Sequence, residues 1–240
     1  MKKVLITGAT SGIGEALCLH YQALNYAVIA CGRQQDKLAQ LSCYDNVSTI
    51  AVDLCDEQQV MAQFAQLGAL DLVILNAGSC EYIDDVKHFD GALFARVMHT
   101  NLIGTGYCLA ALLPQISAGG QLALVGSSAS FLPFSRAQAY GASKAAIAYL
   151  ARTLALDLKT ENIDVSLVSP GFVKTPLTDK NDFVMPMQIS VQQAAVEIAS
   201  GLDKRVFDIH FPKRFTLILK ALSLLPDSWW TAISTRMLSR

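Results

Sequence analysis

Of the chain's 240 residues, 52% are apolar and only 16% are charged, well below the roughly 25% charged of an ordinary soluble domain. That composition excludes disorder, which needs low hydrophobicity and high net charge, and the length supports one large domain or one with a small appendage. Lys and Arg total 19 against 20 Asp and Glu, a formal charge of −1, so there is no overall basic field of the kind nucleic-acid binding needs.

Six cysteines, at 18, 31, 43, 55, 80 and 108, form no Cys-x-x-Cys pair and have no His at finger spacing; a metal site is not expected. Met1-Lys2-Lys3 runs straight into Val4–Thr7 and a glycine turn, too short an apolar run for a secretory leader. The thiols are therefore read as reduced, in a cytoplasmic protein. The stretch between Arg96 and Arg136 carries no Asp, Glu, Lys or Arg and is long enough to span a bilayer. Asn101, Gly104, Gly106, Pro114, Gln115, Gly119, Gly120 and Gln121 interrupt it, and a helix, a Gly-Gly turn and a buried strand explain it better.

In chain order, short β-branched runs at Lys3–Thr7, Ala27–Cys31, Ser48–Asp53, Asp71–Asn76, Gln121–Gly126, Ile163–Ser169 and, more weakly, Val206–Phe211 predict strands. Most are apolar throughout, the mark of strands covered on both faces in a parallel sheet. Helical stretches fall between them at about Ile13–Leu24, Gln34–Leu41, Glu57–Leu67, Ala92–Ile116 and Tyr140–Thr160. This alternation predicts an α/β fold with a doubly wound, Rossmann-like parallel sheet of about seven strands. Residues 1–212 are expected to form a single domain, with a long loop region at about 175–205, and residues 213–240 an amphipathic helical tail.

Gly8-Ala9-Thr10-Ser11-Gly12-Ile13-Gly14 follows the first strand and opens the first helix. Glycines there let the backbone turn tightly and approach a ligand, and the helix N-terminus near Ile13 favours a pyrophosphate. Glu15 stands where a P-loop requires Lys. An acid ending the second strand would hold a ribose 2′-hydroxyl; this chain has Arg33 instead, which suits a 2′-phosphate and hence NADP(H) over NAD(H). Tyr140 and Lys144 lie four apart on a predicted helix and so share a face. An ammonium beside a phenol favours the phenolate and lowers its pKa from about 10, making it a proton donor and acceptor near neutral pH.

Taken together, these motifs resemble the short-chain dehydrogenase/reductase family in its compact single-domain form. The resemblance rests on Gly8, Gly12 and Gly14; on Asn76-Ala77-Gly78 after the fourth strand; on Asn101 in the long helix; on Ser127-Ser128 ending the fifth strand; on Tyr140 with Lys144; and on Pro170-Gly171-Phe172-Val173-Lys174-Thr175. It implies that Tyr140 exchanges a proton with the substrate oxygen and that Lys144 holds the nicotinamide ribose. A serine would bond the carbonyl or alcohol oxygen, and Asn101 would hold a water in the relay. Thr10, Ser11 and Ile13 would line the phosphate turn, Asp53 and Leu54 the adenine, and Val173 and Thr175 the nicotinamide. The family commonly separates serine and tyrosine by 13 positions. Ser127 lies 13 from Tyr140 and Ser128 lies 12, and alignment on the strand end selects Ser128. The resemblance also implies a homodimer through Ala92–Ile116 and Tyr140–Thr160.

The tail departs from the family pattern. From Lys204 onward there are 7 basic and 2 acidic residues, net +5, against 12 and 18, net −6, in residues 1–203. Its apolar positions, from Phe215 to Trp229-Trp230, interleave with Lys213, Arg214, Lys220, Arg236 and Arg240. Packing on the core or on a second subunit is expected; peripheral membrane contact and a lid over the substrate are the alternatives. The leading function is an NADP(H)-dependent carbonyl reductase or alcohol dehydrogenase acting on a small molecule. The alternatives are a non-catalytic nucleotide sensor or scaffold on the same fold, and a membrane-associated reductase of lipid-like substrates.

Overall fold

The computed structural model describes residues 1–238, with side chains through Arg236; Arg240, counted with the basic tail above, lies outside the described residues. The strand–helix alternation forms a seven-stranded sheet in which every pairing is parallel. The strands are β1 (Lys3–Thr7), β2 (Ala27–Gly32), β3 (Val47–Ala51), β4 (Leu70–Leu75), β5 (Ile116–Val125), β6 (Asp164–Pro170) and β7 (Asp208–Phe211), in the spatial order β3-β2-β1-β4-β5-β6-β7. The order reverses direction between β1 and β4, where open α/β sheets part to admit a ligand.

Alternate strand residues point to opposite faces, and both faces are apolar. Val4, Ile6, Val28, Ala30, Leu72, Ile74 and Val168 meet Leu17, Cys18 and Tyr21 of α1 (Gly12–Ala23), Leu41 of α2 (Gln35–Leu41) and Ala194, Ile198 and Leu202 of α7 (Val191–Asp203). Leu5, Ile29, Val73, Leu75, Leu122, Leu124 and Leu167 form the other layer. That layer is covered by α3 (Glu57–Phe64), by α5 (Gly104–Leu112) and by Ile147, Ala148 and Ala151 of α6 (Gln138–Asp157). Burial holds the Cys18 thiol up at about 12, so it is inert packing.

Three elements differ from the sequence expectation. The single helix expected over Ala92–Ile116 is α4 (Gly91–Met98), a π turn (His99–Ile103) and α5, with a 3₁₀ turn before β5. Gly119 and Gly120 lie inside β5, where Gly119 has φ +82°, and the β4–β5 register shifts beside them. Half of the segment expected as substrate loop is α7. Its start is a capping box in which the Ser190 hydroxyl accepts from the Gln193 N–H and the Gln193 side chain accepts from the Ser190 N–H. That reciprocal pair is a sequence-visible helix start.

The tail folds onto its own chain as α8 (Lys213–Leu222) and α9 (Asp227–Leu238). Leu219 and Trp230 pack with Leu132, flanked by Phe131, Phe215 and Leu222. The Trp230 indole N–H donates to the Pro133 carbonyl at 2.8 Å, and its ring meets Phe134 edge-on. The tail thus clamps the loop between β5 and α6. Among the described residues no helix is long and apolar enough to cross a membrane. Trp230→Ala should cost about 3 kcal/mol of stability, and Trp230→Phe, which keeps a ring but loses the N–H, about 1 kcal/mol. Urea unfolding followed by circular dichroism measures both.

Candidate active site

The turn from β1 into α1 is held by contacts that exclude side chains. Gly8 (φ +66°) and Gly12 (φ +58°) adopt left-handed backbone, which glycine reaches without strain. A Cβ on Gly14 would sit 2.1 Å from the Gly8 carbonyl oxygen and 2.6 Å from Asn76 Nδ2. Asn76 Nδ2 donates to the Thr7 carbonyl at 3.0 Å, and the Asn76 and Ala77 N–H groups donate to Thr7 Oγ1 at 3.0 and 3.2 Å. The β1 and β4 ends are thereby tied together. Ser11 stands at the N-cap of α1 in extended conformation without capping it, so the first N–H groups of the helix are left for an external acceptor.

A cleft of about 470 Å³ runs along the C-terminal ends of the strands. Gly8, Thr10, Ser11, Gly12 and Ile13 line it at the turn, and Arg33, Asp53 and Leu54 line it where β2 and β3 end. Asn76, Ala77, Gly78, Pro170, Gly171, Val173 and Thr175 line its middle and far walls, with Tyr140 and Lys144. Gly14 packs behind the turn instead. Arg33 is exposed and forms no ion pair among the described residues. Asp53 turns its carboxylate onto the Cys55 N–H at 3.0 Å. The residues present therefore fit a dinucleotide phosphate chain, with an uncommitted cation beside the β2 end.

Of the two serines, Ser127 and not Ser128 lines the cleft. Ser127 is extended (φ −167°, ψ 153°), lines the cleft with Tyr140, and its hydroxyl acts to lower the Tyr140 pKa. Ser128 begins a tight 3₁₀ turn, Ser128–Ser130, and is buried away from the cleft. The strand's extended geometry ends at Ser127, so that residue, and not its neighbour, reaches the tyrosine.

Tyr140 and Lys144 sit one turn apart on α6, the Lys144 Nζ 5.8 Å from the tyrosine ring centroid. Lys144 is 5% exposed and donates to the Val125 carbonyl at 2.9 Å. Burial lowers its pKa to about 8. The phenol shifts opposite to the sequence expectation: burial first, then the Cys80 sulfur, push it up, and the Ser127 hydroxyl acts against that rise. An ammonium that is itself desolvated does not overcome the burial of the phenol.

Asn101 lies in the π turn, a kind of insertion frequent at functional sites. It is buried off the cleft wall. Its amide oxygen accepts the Ser79 N–H at 2.7 Å, and its Nδ2 donates to the Ser79 carbonyl and to Ser143 Oγ, each at 2.9 Å. Ser143 in turn donates to the Tyr140 carbonyl at 2.7 Å, so Asn101 braces the first turn of α6.

Sequence reasoning missed the far side of the cleft. Arg96 donates twice to Glu81, at 3.0 and 2.7 Å, where both line the opening. Arg136 joins two loops by donating to Asp84 at 2.6 Å and Asp182 at 2.8 Å, its guanidinium 5.4 Å from the Tyr82 ring centroid. Tyr82, Phe183, Phe172 and Phe215 form a continuous aromatic row. These partners come from loops remote in sequence, and no local motif marks them.

Residues 2–183 match the family model described as short chain dehydrogenase. The chain belongs to that family of oxidoreductases, which act on small molecules with a nicotinamide dinucleotide. A protein of Myxococcus xanthus described as an uncharacterized oxidoreductase is 28% identical, the alignment covering 98% of this chain and 97% of that one. The short-chain dehydrogenase from Sphingobium yanoikuyae in complex with NADPH superposes with a TM-score of 0.80 at 23% identity, covering 100% and 94%. A Burkholderia phymatum short-chain dehydrogenase/reductase in complex with NAD gives 0.81 at 20% identity, covering 91% and 92%. Those two likenesses establish the seven-stranded fold.

The close contact at Gly14 has a measurable consequence. Gly14→Ala should force the Gly8 turn to move and lower the thermal unfolding midpoint by several degrees, about 2 kcal/mol of overpacking. Gly106→Ala, whose Cβ would meet nothing within 4 Å, should leave the midpoint unchanged or raise it, since alanine is the better helix former.

Proposed function

We propose that this chain interconverts a carbonyl compound and the matching secondary alcohol with NADP(H), with Tyr140 as general acid–base. The observation that carries the reading is the meeting of Ser127, Tyr140 and Lys144 on the wall of the cleft that the glycine turn opens at its other end. The turn residues Gly8, Thr10, Ser11, Gly12 and Ile13 would hold the pyrophosphate, Arg33 a 2′-phosphate, and Lys144 the nicotinamide ribose. Asp53 and Leu54 would flank the adenine, and Val173 and Thr175 the nicotinamide. When bound, the nicotinamide supplies or accepts the hydride.

In the reducing direction Ser127 donates to the carbonyl oxygen and fixes its position beside Tyr140. The phenol gives its proton to that oxygen as the carbon is reduced, and the Lys144 ammonium stabilises the phenolate left behind. The upward shift of the phenol suits this order, since the tyrosine waits protonated. Asn101 acts through Ser143 to hold Tyr140 in place. A homodimer through the outward faces of α4–α5 and α6 accompanies this reading. Tyr149 and Leu156, 70% and 74% exposed, stand outward on α6, and Ile103 is exposed on the π turn that packs against α6.

Tyr140→Phe should lower NADPH-dependent reduction of a responsive ketone by at least about 100-fold while NADPH still quenches protein fluorescence with the parent's affinity. Unchanged turnover would sink the mechanism. Ser127→Ala should lose about 100-fold in kcat, as for loss of one donor to the reacting oxygen, whereas Ser128→Ala stays close to the parent.

The parent should bind NADPH more tightly than NADH, and Arg33→Asp should weaken NADPH binding by roughly 10- to 100-fold, the worth of a charge-assisted contact. Equal affinity of the parent for the two cofactors would overturn the role of Arg33.

A further inference from the structure

The inner and outer faces of α8 differ. Inward, Phe215, Thr216 and Leu219 pack on the chain, Phe215 lying against Gly171 and 5.5 Å from the Phe172 ring. Outward, Lys213 and Arg214 occupy the first turn, and Leu217 and Ile218, 54% and 53% exposed, occupy the next. These four share one face by helical spacing. Past the helix, Leu224 and Trp229 are also exposed, at 85% and 63%. Neither Lys213 nor Arg214 forms an ion pair among the described residues.

We propose that this outer face of α8, with Leu224 and Trp229, seats the protein on an anionic lipid surface. An uncovered apolar stripe headed by unpaired cations and edged by a tryptophan matches the interface between headgroups and acyl chains. The bilayer accounts for both halves of the pattern: its phosphates neutralise Lys213 and Arg214, and its acyl region takes up Leu217, Ile218 and Leu224. Phe215 of the same helix packs against Gly171, which lines the cleft beside Pro170. A seated molecule therefore holds this end of the cleft one helix away from the lipid surface. Resting on the carbonyl-reductase reading above, this extends it to apolar carbonyl compounds dissolved in membrane.

The experiment is co-flotation of the full chain with vesicles of phosphatidylcholine, with and without phosphatidylglycerol. The chain should float with the phosphatidylglycerol vesicles only, and its tryptophan emission should shift to the blue, a shift lost in Trp229→Phe. Lys213→Gln with Arg214→Gln should weaken binding about 30-fold, at about fivefold per cation, and Leu217→Ser with Ile218→Ser should abolish it. Retained NADPH binding and helical circular dichroism certify that each variant is folded. Failure of the parent to float, or flotation of the variants equal to the parent's, would overturn the proposal. So would loss of a solution dimer in Leu217→Ser with Ile218→Ser without loss of flotation, because a second copy would then own the face. Reduction of a water-soluble ketone without vesicles tests the carbonyl-reductase reading separately, and these surface variants should keep it.

Discussion

The site depends on one close backbone approach. The first turn of α1 lies so near the Gly8 carbonyl that no methyl group fits at Gly14, and the Asn76 amide bridges the same oxygen. Residue 76 leads from β4 into Gly78, where a Cβ would come 3.2 Å from Asn101 Oδ1 and 3.3 Å from Lys144 Nζ. From Asn101 the contact passes through Ser143 to the Tyr140 carbonyl. The phosphate turn and the tyrosine are therefore linked through Gly14, where only glycine fits, and Gly78, where a methyl group would press on Asn101 and Lys144. In a close-packed interior such links leave little freedom, and the tyrosine's place is fixed from the far end of the cleft.

Within that frame the electrostatics are left unbalanced. Lys144 is a buried cation that donates to the Val125 carbonyl and forms no ion pair among the described residues, and burial lowers its pKa to about 8. Burying a charge without an ion partner is costly, and folds tolerate such a cost chiefly where function requires it. The neighbouring phenol is pushed the other way. In the resting site, then, both groups lean toward their neutral forms. In the proposed reaction, proton transfer from Tyr140 would create the anion that the Lys144 ammonium lacks, and the pair would gain its largest mutual attraction at that point.

The sheet was legible because its strands are apolar on both faces, and the glycine turn and Tyr140–Lys144 because each is a local spacing with one physical meaning. What was lost had two causes. Local spacing left Ser127 and Ser128 nearly equivalent, and only the extended backbone at Ser127 and the tight turn at Ser128 separate them. The π turn in the helix expected over Ala92–Ile116 bends on tertiary contacts of Asn101, which periodicity does not carry. By contrast α7 announced itself through Ser190 and Gln193 and was obscured by the expectation of a substrate loop. The Arg136 bridge to Asp84 and Asp182 had no sequence signal, since its partners converge only in the fold. The direction of the Tyr140 shift was misjudged for a related reason: the Tyr–Lys spacing specifies proximity but says nothing of desolvation, and desolvation prevails.

The split between an acidic body and a basic tail now has a structural location. The tail's apolar residues divide by face: Phe215, Leu219, Leu222 and Trp230 build a small core over the loop that carries Ser127 toward Tyr140, while Leu217, Ile218, Leu224 and Trp229 remain outside. A tail needed only as a clamp would carry polar residues on its outer face, as surface helices generally do. Here the outer face is apolar and cationic, and Lys220, the cation nearest the inner side, is committed to Asp208 and to the Phe131 ring. The uncommitted cations Lys213 and Arg214 are those on the outer face. That partition separates two tasks within one short helix: bracing the catalytic loop from within, and offering a surface to something negative and apolar from without.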